Sequence, residues 1–165
     1  MPEICCHHNC LEELRADHEE ISKELGFLEE AMKESPVNKK QVEHFLRFTE
    51  TFAEPHHRKE EEVLFPELER KGIPKEDGPI GMMLMEHEIK REYVKNLEKA
   101  AGDNNGDEMK RNSLAIVSLM RDHIFKENNI LYPTAIEVIT EPEVWQTMKL
   151  AADKIGYCCF TPKNN

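Results

Sequence analysis

Two stretches of this chain lie over one another without a gap, and that repeat restricts the fold more than any other feature. "HHRKEEEVLFP" (56–66) aligns with "HIFKENNILYP" (123–133). His56 meets His123, Lys59 meets Lys126, Glu60 meets Glu127, and Leu64-Phe65-Pro66 meets Leu131-Tyr132-Pro133. A second echo lies upstream of each: "DHEEI" (17–21) and "EHEIK" (86–90) put His18 over His87. The spacings agree, with 38 residues from His18 to His56 and 36 from His87 to His123. The chain therefore reads as two helix pairs, each supplying one lone histidine and one His-x-x-x-Glu.

Helical texture runs through nearly all of residues 10–155. Glu, Lys, Leu, Met and Ala dominate, and little of the sequence alternates with a period of two. Three breaks divide it. "ESPVNKK" (34–40) offers Ser35 as an N-cap with Pro36 just inside the next helix. "KGIPKEDGP" (71–79) has Gly72 as a stop and Pro79 as a start, and "GDNNGD" (102–107) is the third turn. Helices are expected at about 9–33, 38–71, 79–101 and 107–139, with a shorter fifth as an option at about 141–155. Long helices joined by short turns pack as antiparallel neighbours, so the expected fold is all-α, an up-down-up-down four-helix bundle. Leu11, Leu14, Ile21, Leu25 and Leu28 form the inward stripe of the first helix, with His18 inside it. The expected organisation is a Cys/His-rich segment at 1–10, the bundle at 11–140, and a C-terminal helix and Cys-containing tail at 141–165.

A chain of 165 residues is long enough to bury a core without disulfides or a structural metal. Its net charge of -11 argues against nucleic acid and anionic membrane surfaces as partners, since both attract positive patches. No apolar run approaches the ~20 residues of a membrane-spanning helix. "MPEICCHHNC" lacks the basic start and apolar centre of a secretion signal, so a cytoplasmic protein is expected.

A His and a Glu four residues apart share one helix face. Two such pairs with two lone histidines bring four imidazoles and two carboxylates together from four helices: His18, His56, Glu60, His87, His123 and Glu127. Nitrogen and carboxylate donors inside a bundle suit iron, with manganese or zinc as substitutes. Six ligands exceed what one tetrahedral zinc takes, and each glutamate can bridge two metals. Divided evenly, each metal receives two histidines, two bridging carboxylate oxygens and a solvent-derived oxo or hydroxo bridge. One position on each stays open for O2, peroxide or nitric oxide. His57, Glu61 and Glu62 face Ile124, Asn128 and Asn129 in the repeat. His57 and Glu61 are therefore placed around the ligands or at the rim, Glu62 goes to solvent, and His44, off the repeat, is read as a surface residue. Pro55 has no counterpart and no evident reason.

The residues "DHEEI", "HHRKEEEVLFPELERKGIP", "GPIGMMLMEHE" and "DHIFKENNILYP" resemble the hemerythrin-like HHE cation-binding domain family over residues 17–133. The resemblance implies a four-helix bundle holding a non-haem di-iron centre, with the ligand role falling on His18, His56, Glu60, His87, His123 and Glu127. Oxygen-carrying hemerythrins add a His-x-x-x-His pair on the third helix. Here Met83 and Arg91 stand four residues from His87, so the pattern is closer to the bacterial single-domain relatives and to iron-centre repair proteins of nitric oxide and oxidative stress. The expected function is a di-iron protein that binds or senses O2 or NO. The alternatives are a redox enzyme that reduces O2, peroxide or NO with electrons from a partner, and an iron donor for repair.

Cys5, Cys6 and Cys10 lie at one terminus, Cys158 and Cys159 at the other. In an up-down bundle these ends meet, so a second site of thiolates with His7 or His8, a redox-reporting disulfide, or two reduced tails are all open.

Overall fold

The computed structural model describes residues 9–156. Among them the fold is all-α, with no strand. The first helix is Cys10–Ala31, the second runs unbroken over 39–70, the third is Pro79–Gly102, the fourth spans 106–138, and a fifth follows at Pro142–Ile155. The first four make the expected up-down-up-down bundle.

Side-chain caps fix most of the helix starts. Asn9 Oδ1 accepts from the backbone N–H of Leu11 and Glu12, both at 3.0 Å, and Asn105 does the same for Glu108 at 3.1 Å. The second helix starts later than "ESPVNKK" suggested. Its cap is Asn38, which accepts from the Gln41 N–H at 3.1 Å, rather than Ser35. Asn is as strong a cap as Ser, and Asn38 stands one turn before the first buried residue of the helix, Val42. The second helix closes at Gly72, whose φ of 93° only glycine adopts without strain.

The second and fourth helices are not α-helical throughout. Wide, π-type turns occupy Thr49–Ala53, Glu60–Leu64 and Glu127–Leu131. In each, the closing N–H reaches five residues back: Glu54 to Thr49, Phe65 to Glu60 and Tyr132 to Glu127. The next residue is a proline in all three cases: Pro55, Pro66 and Pro133. A proline inside an α-helix has no N–H to give and its ring strikes the carbonyl four residues back. The widened turn re-registers the carbonyls ahead of the ring, so the helix continues. This accounts for Pro55, which has a wide turn of its own.

The core comes in two apolar blocks with the polar cluster between them. Ile21, Leu25, Leu28, Val42, Phe45, Leu97, Ile116 and Met120 fill one. Leu11, Leu14, Leu64, Phe65, Leu68, Ile80, Leu131 and Ala135 fill the other, and the fifth helix adds Met148 and Ala152 to it. That helix lies along the first two. Its start is held by Lys71 on Glu141 at 2.5 Å, and Lys149 on Glu13 at 3.3 Å ties its middle. No helix among the described residues is long and apolar enough to cross a membrane.

Candidate metal centre

The six residues selected by the repeat are brought together at the bundle axis, and all are buried. Their Nε2 atoms point inward at carboxylate oxygens. His56 lies 3.0 Å from Glu60 Oε1, and His123 lies 3.1 Å from Glu127 Oε1. His18 lies 2.9 Å from Glu127 Oε2, and His87 lies 3.7 Å from Glu60 Oε1. Each glutamate thus reaches a histidine of both halves.

The Nδ1 atoms face outward, and each has an acceptor. His56 pairs with Asp17 at 3.0 Å and His123 with Glu86 at 2.8 Å. His87 pairs with Glu61 at 2.7 Å and His18 with Asn128 at 2.8 Å. The arrangement keeps the repeat. Asp17 and Glu86 are equivalent positions one residue before the lone histidines, and Glu61 and Asn128 are equivalent positions one residue after the glutamates. Glu61 lies beside the His87 ring through that bond. Such partners hold a histidine in the Nδ1–H form and leave the Nε2 lone pair free.

That tautomer leaves acceptors facing acceptors. Glu60 Oε1 and Glu127 Oε1 are buried without a hydrogen-bond donor, although imidazole nitrogens lie about 3 Å away. His87 Nε2 and His123 Nε2 are 3.1 Å apart. Buried lone pairs at this distance are costly unless something positive lies between them. In the metal-free site protons take that place. Burial alone would lower the His56 imidazole, yet Glu60 and Asp17 hold it up at about 10. His123 likewise resists burial and rises to about 10 beside Glu127 and Glu86. Burial and the Glu127 charge push Glu60 up to about 7. The donors and their orphaned oxygens suit metal cations.

His57, read from the sequence as lying around the ligands or at the rim, is not at the rim. It has no exposed surface, and both ring nitrogens lack a hydrogen-bond partner. Its ring stacks on His87 with centroids 4.1 Å apart and meets His123 edge-on at 6.0 Å. The physical reason is the breadth of the site. Two residues about 100° apart on one helix can straddle an axis that several helices share. His56 leans toward the first helix and His57 toward the third. Two groups result, each with its donor atoms within 4.8 Å of one another: His18, His56, Glu60 and Glu127, and His57, Glu60, His87 and His123. Glu60 belongs to both.

The architecture and this donor set agree with one comparison. The model of the hemerythrin HHE cation binding domain matches residues 9–135. The chain belongs to that family. No curated protein matches it. As a hemerythrin HHE domain it is a cation-binding bundle, with His/Glu clusters able to hold metal.

Three further residues complete the site. Tyr132 is fully buried, and its hydroxyl donates to Glu60 Oε2 at 3.0 Å. Its ring stacks parallel on His18, as Phe65 does on His87 in the other half. Lys90 is buried beside Glu54, at 3.6 Å, and burial pushes its ammonium down to about 8. Lys126 pairs with Glu86 from the surface side, and Glu86 in turn pairs with His123. His44 lies outside the cluster as expected, exposed and 3.1 Å from Glu24. Of the thiols, Cys5, Cys6, Cys158 and Cys159, with His7 and His8, lie outside the described residues. Cys10 is buried in the first turn, and burial together with Glu13 pushes its thiol up to about 12, which keeps it protonated.

Proposed function

We propose that this hemerythrin HHE domain is a non-haem di-iron protein that binds O2 or NO. The observation that carries the reading is the uneven sharing of histidines. With His57 counted, one position has three imidazoles (His57, His87, His123) and the other has two (His18, His56), with Glu60 and Glu127 bridging them. With a solvent-derived oxo or hydroxo bridge the first position would have six ligands and the second five. The second would then keep a position open for a diatomic ligand. A bound pair of irons would supply that coordination position and the electrons for reversible binding; manganese and zinc fit the donors less selectively.

The chain's own residues hold the donors in place. Asp17, Glu61, Glu86 and Asn128 fix the rings of the four repeat histidines, so little reorganisation is needed as metals enter. Apolar blocks lie on either side of the cluster. An apolar groove of about 1170 Å³ between the third and fourth helices has Met83 and Leu131 on its floor. These residues stand one turn from His87 and Glu127. We assign the metal-binding unit to residues 11–140.

The test is anaerobic loading with ferrous iron, metal counting, and optical spectra on adding O2 and then NO. Two irons per chain and a reversible band with O2 are expected. Irreversible oxidation with turnover, using electrons from a partner, would make the protein an enzyme. Rapid loss of iron to an acceptor would make it a donor.

A further inference from the structure

Besides Asp17/Glu86 and Glu61/Asn128, which keep their hydrogen-bonding role, two repeat positions inside the cluster differ. His57 stands where the other half has Ile124, and Tyr132 stands where the other half has Phe65. The first sets the histidine count. The second adds one hydroxyl to a framework that is otherwise matched, since both rings stack on the lone histidine beside them: Tyr132 on His18 at 5.3 Å and Phe65 on His87 at 6.1 Å. A hydroxyl with no exposed surface needs a partner. Here it lies 3.0 Å from Glu60 Oε2, 3.5 Å from Glu127 Oε2 and 3.3 Å from His18 Nε2.

Those three atoms belong to the group of His18, His56, Glu60 and Glu127. The Tyr132 hydroxyl has no hydrogen-bond contact with His57, His87 or His123. It therefore serves the two-histidine position, which is the one with the vacancy. We propose that Tyr132 is a positioning residue for the incoming ligand, its hydroxyl donating a hydrogen bond to whatever occupies that position. This rests on the two-metal reading above. When cations occupy the carboxylate oxygens, the hydroxyl gains a reason to turn to a new acceptor in the same small space. The ligand class follows: a small molecule or anion whose far atom accepts a hydrogen bond, rather than one with no acceptor. Phe65 gives the three-histidine position no such donor.

The probe is azide, titrated into the iron-loaded protein and followed by its optical band and its antisymmetric stretch in H2O and D2O. The parent protein should take up two irons and bind azide with a stretch that shifts in D2O. Tyr132→Phe should keep both irons, bind azide about 3- to 10-fold more weakly and lose the isotope shift. Adding Phe65→Tyr in that background returns a hydroxyl to the wrong half and should restore neither. An isotope shift and affinity unchanged in Tyr132→Phe would overturn the proposal alone. So would a tyrosinate-to-iron band in the parent, which would make Tyr132 a ligand. A parent chain that cannot hold two irons would overturn the two-metal reading, and this proposal with it.

Discussion

The two helix pairs share a plan, and their differences are more informative than their likeness. Around the axis they match closely: lone histidine, His-x-x-x-Glu, an acidic residue that holds the second histidine's Nδ1, and a wide turn ahead of a proline. Away from it they part. The fifth helix covers the first pair, so Val63 is 8% exposed and Glu13 is 0% exposed. Nothing among the described residues covers their equivalents, and Ile130 is 55% and Met82 46% exposed. One half is sealed and the other is open beside the cluster. Within the cluster the halves differ again at His57 and Tyr132. Duplication supplies a symmetric cage, and a few unmatched residues make its two donor groups chemically different.

The comparison can be broken most severely at the shared carboxylate. Glu60→Ala should reduce iron from two per chain to none held tightly, because Glu60 belongs to both donor groups; metal analysis after desalting checks this. Removing packing from the covered half comes next. Met148→Ala should cost about 2–5 kcal/mol in urea unfolding, whereas Ile130→Ala on the uncovered half should stay within about 0.5 kcal/mol. Equal costs would show that the fifth helix does not distinguish the halves. His57→Ile gives both halves an isoleucine at this position. It should weaken one metal by about 100-fold, near 2.7 kcal/mol, and leave the other unchanged in a competitive chelator titration. Asp17→Asn should have the smallest effect on the site, about a 10-fold loss of metal affinity. Glu86→Gln should match it if the halves are equivalent outside the ligands.

Much of the fold could be read from residues. Gly72, Pro79 and "GDNNGD" are strong punctuation, and the Leu stripe of the first helix faces the core throughout. Ser35 misled because "SP" is a good start signal locally, while Asn38 was the cap nearer the first buried residue. The repeat picked out six residues that converge, and it was blind to what lacked a counterpart. His57 was set aside because Ile124 opposes it. Tyr132 passed as an alignment marker because Phe65 is its near-isostere. Asp17 and Glu86 were inside the quoted motifs, but only a structure shows which histidine each one holds. The wide turns also leave no mark in hydrophobic periodicity; prolines in mid-helix were their one trace.

Those turns have a consequence for how such chains can change. The two at Glu60–Leu64 and Glu127–Leu131 each store one residue more than α-helical pitch would use between a cluster glutamate and its proline. Deleting a single residue there, Glu62 for instance, would return the backbone to ordinary pitch and swing everything beyond it by about 100°. Leu64, Phe65 and Leu68 would then turn out of the core. The length from Glu60 to Pro66 and from Glu127 to Pro133 is therefore constrained in a way that single substitutions do not reveal.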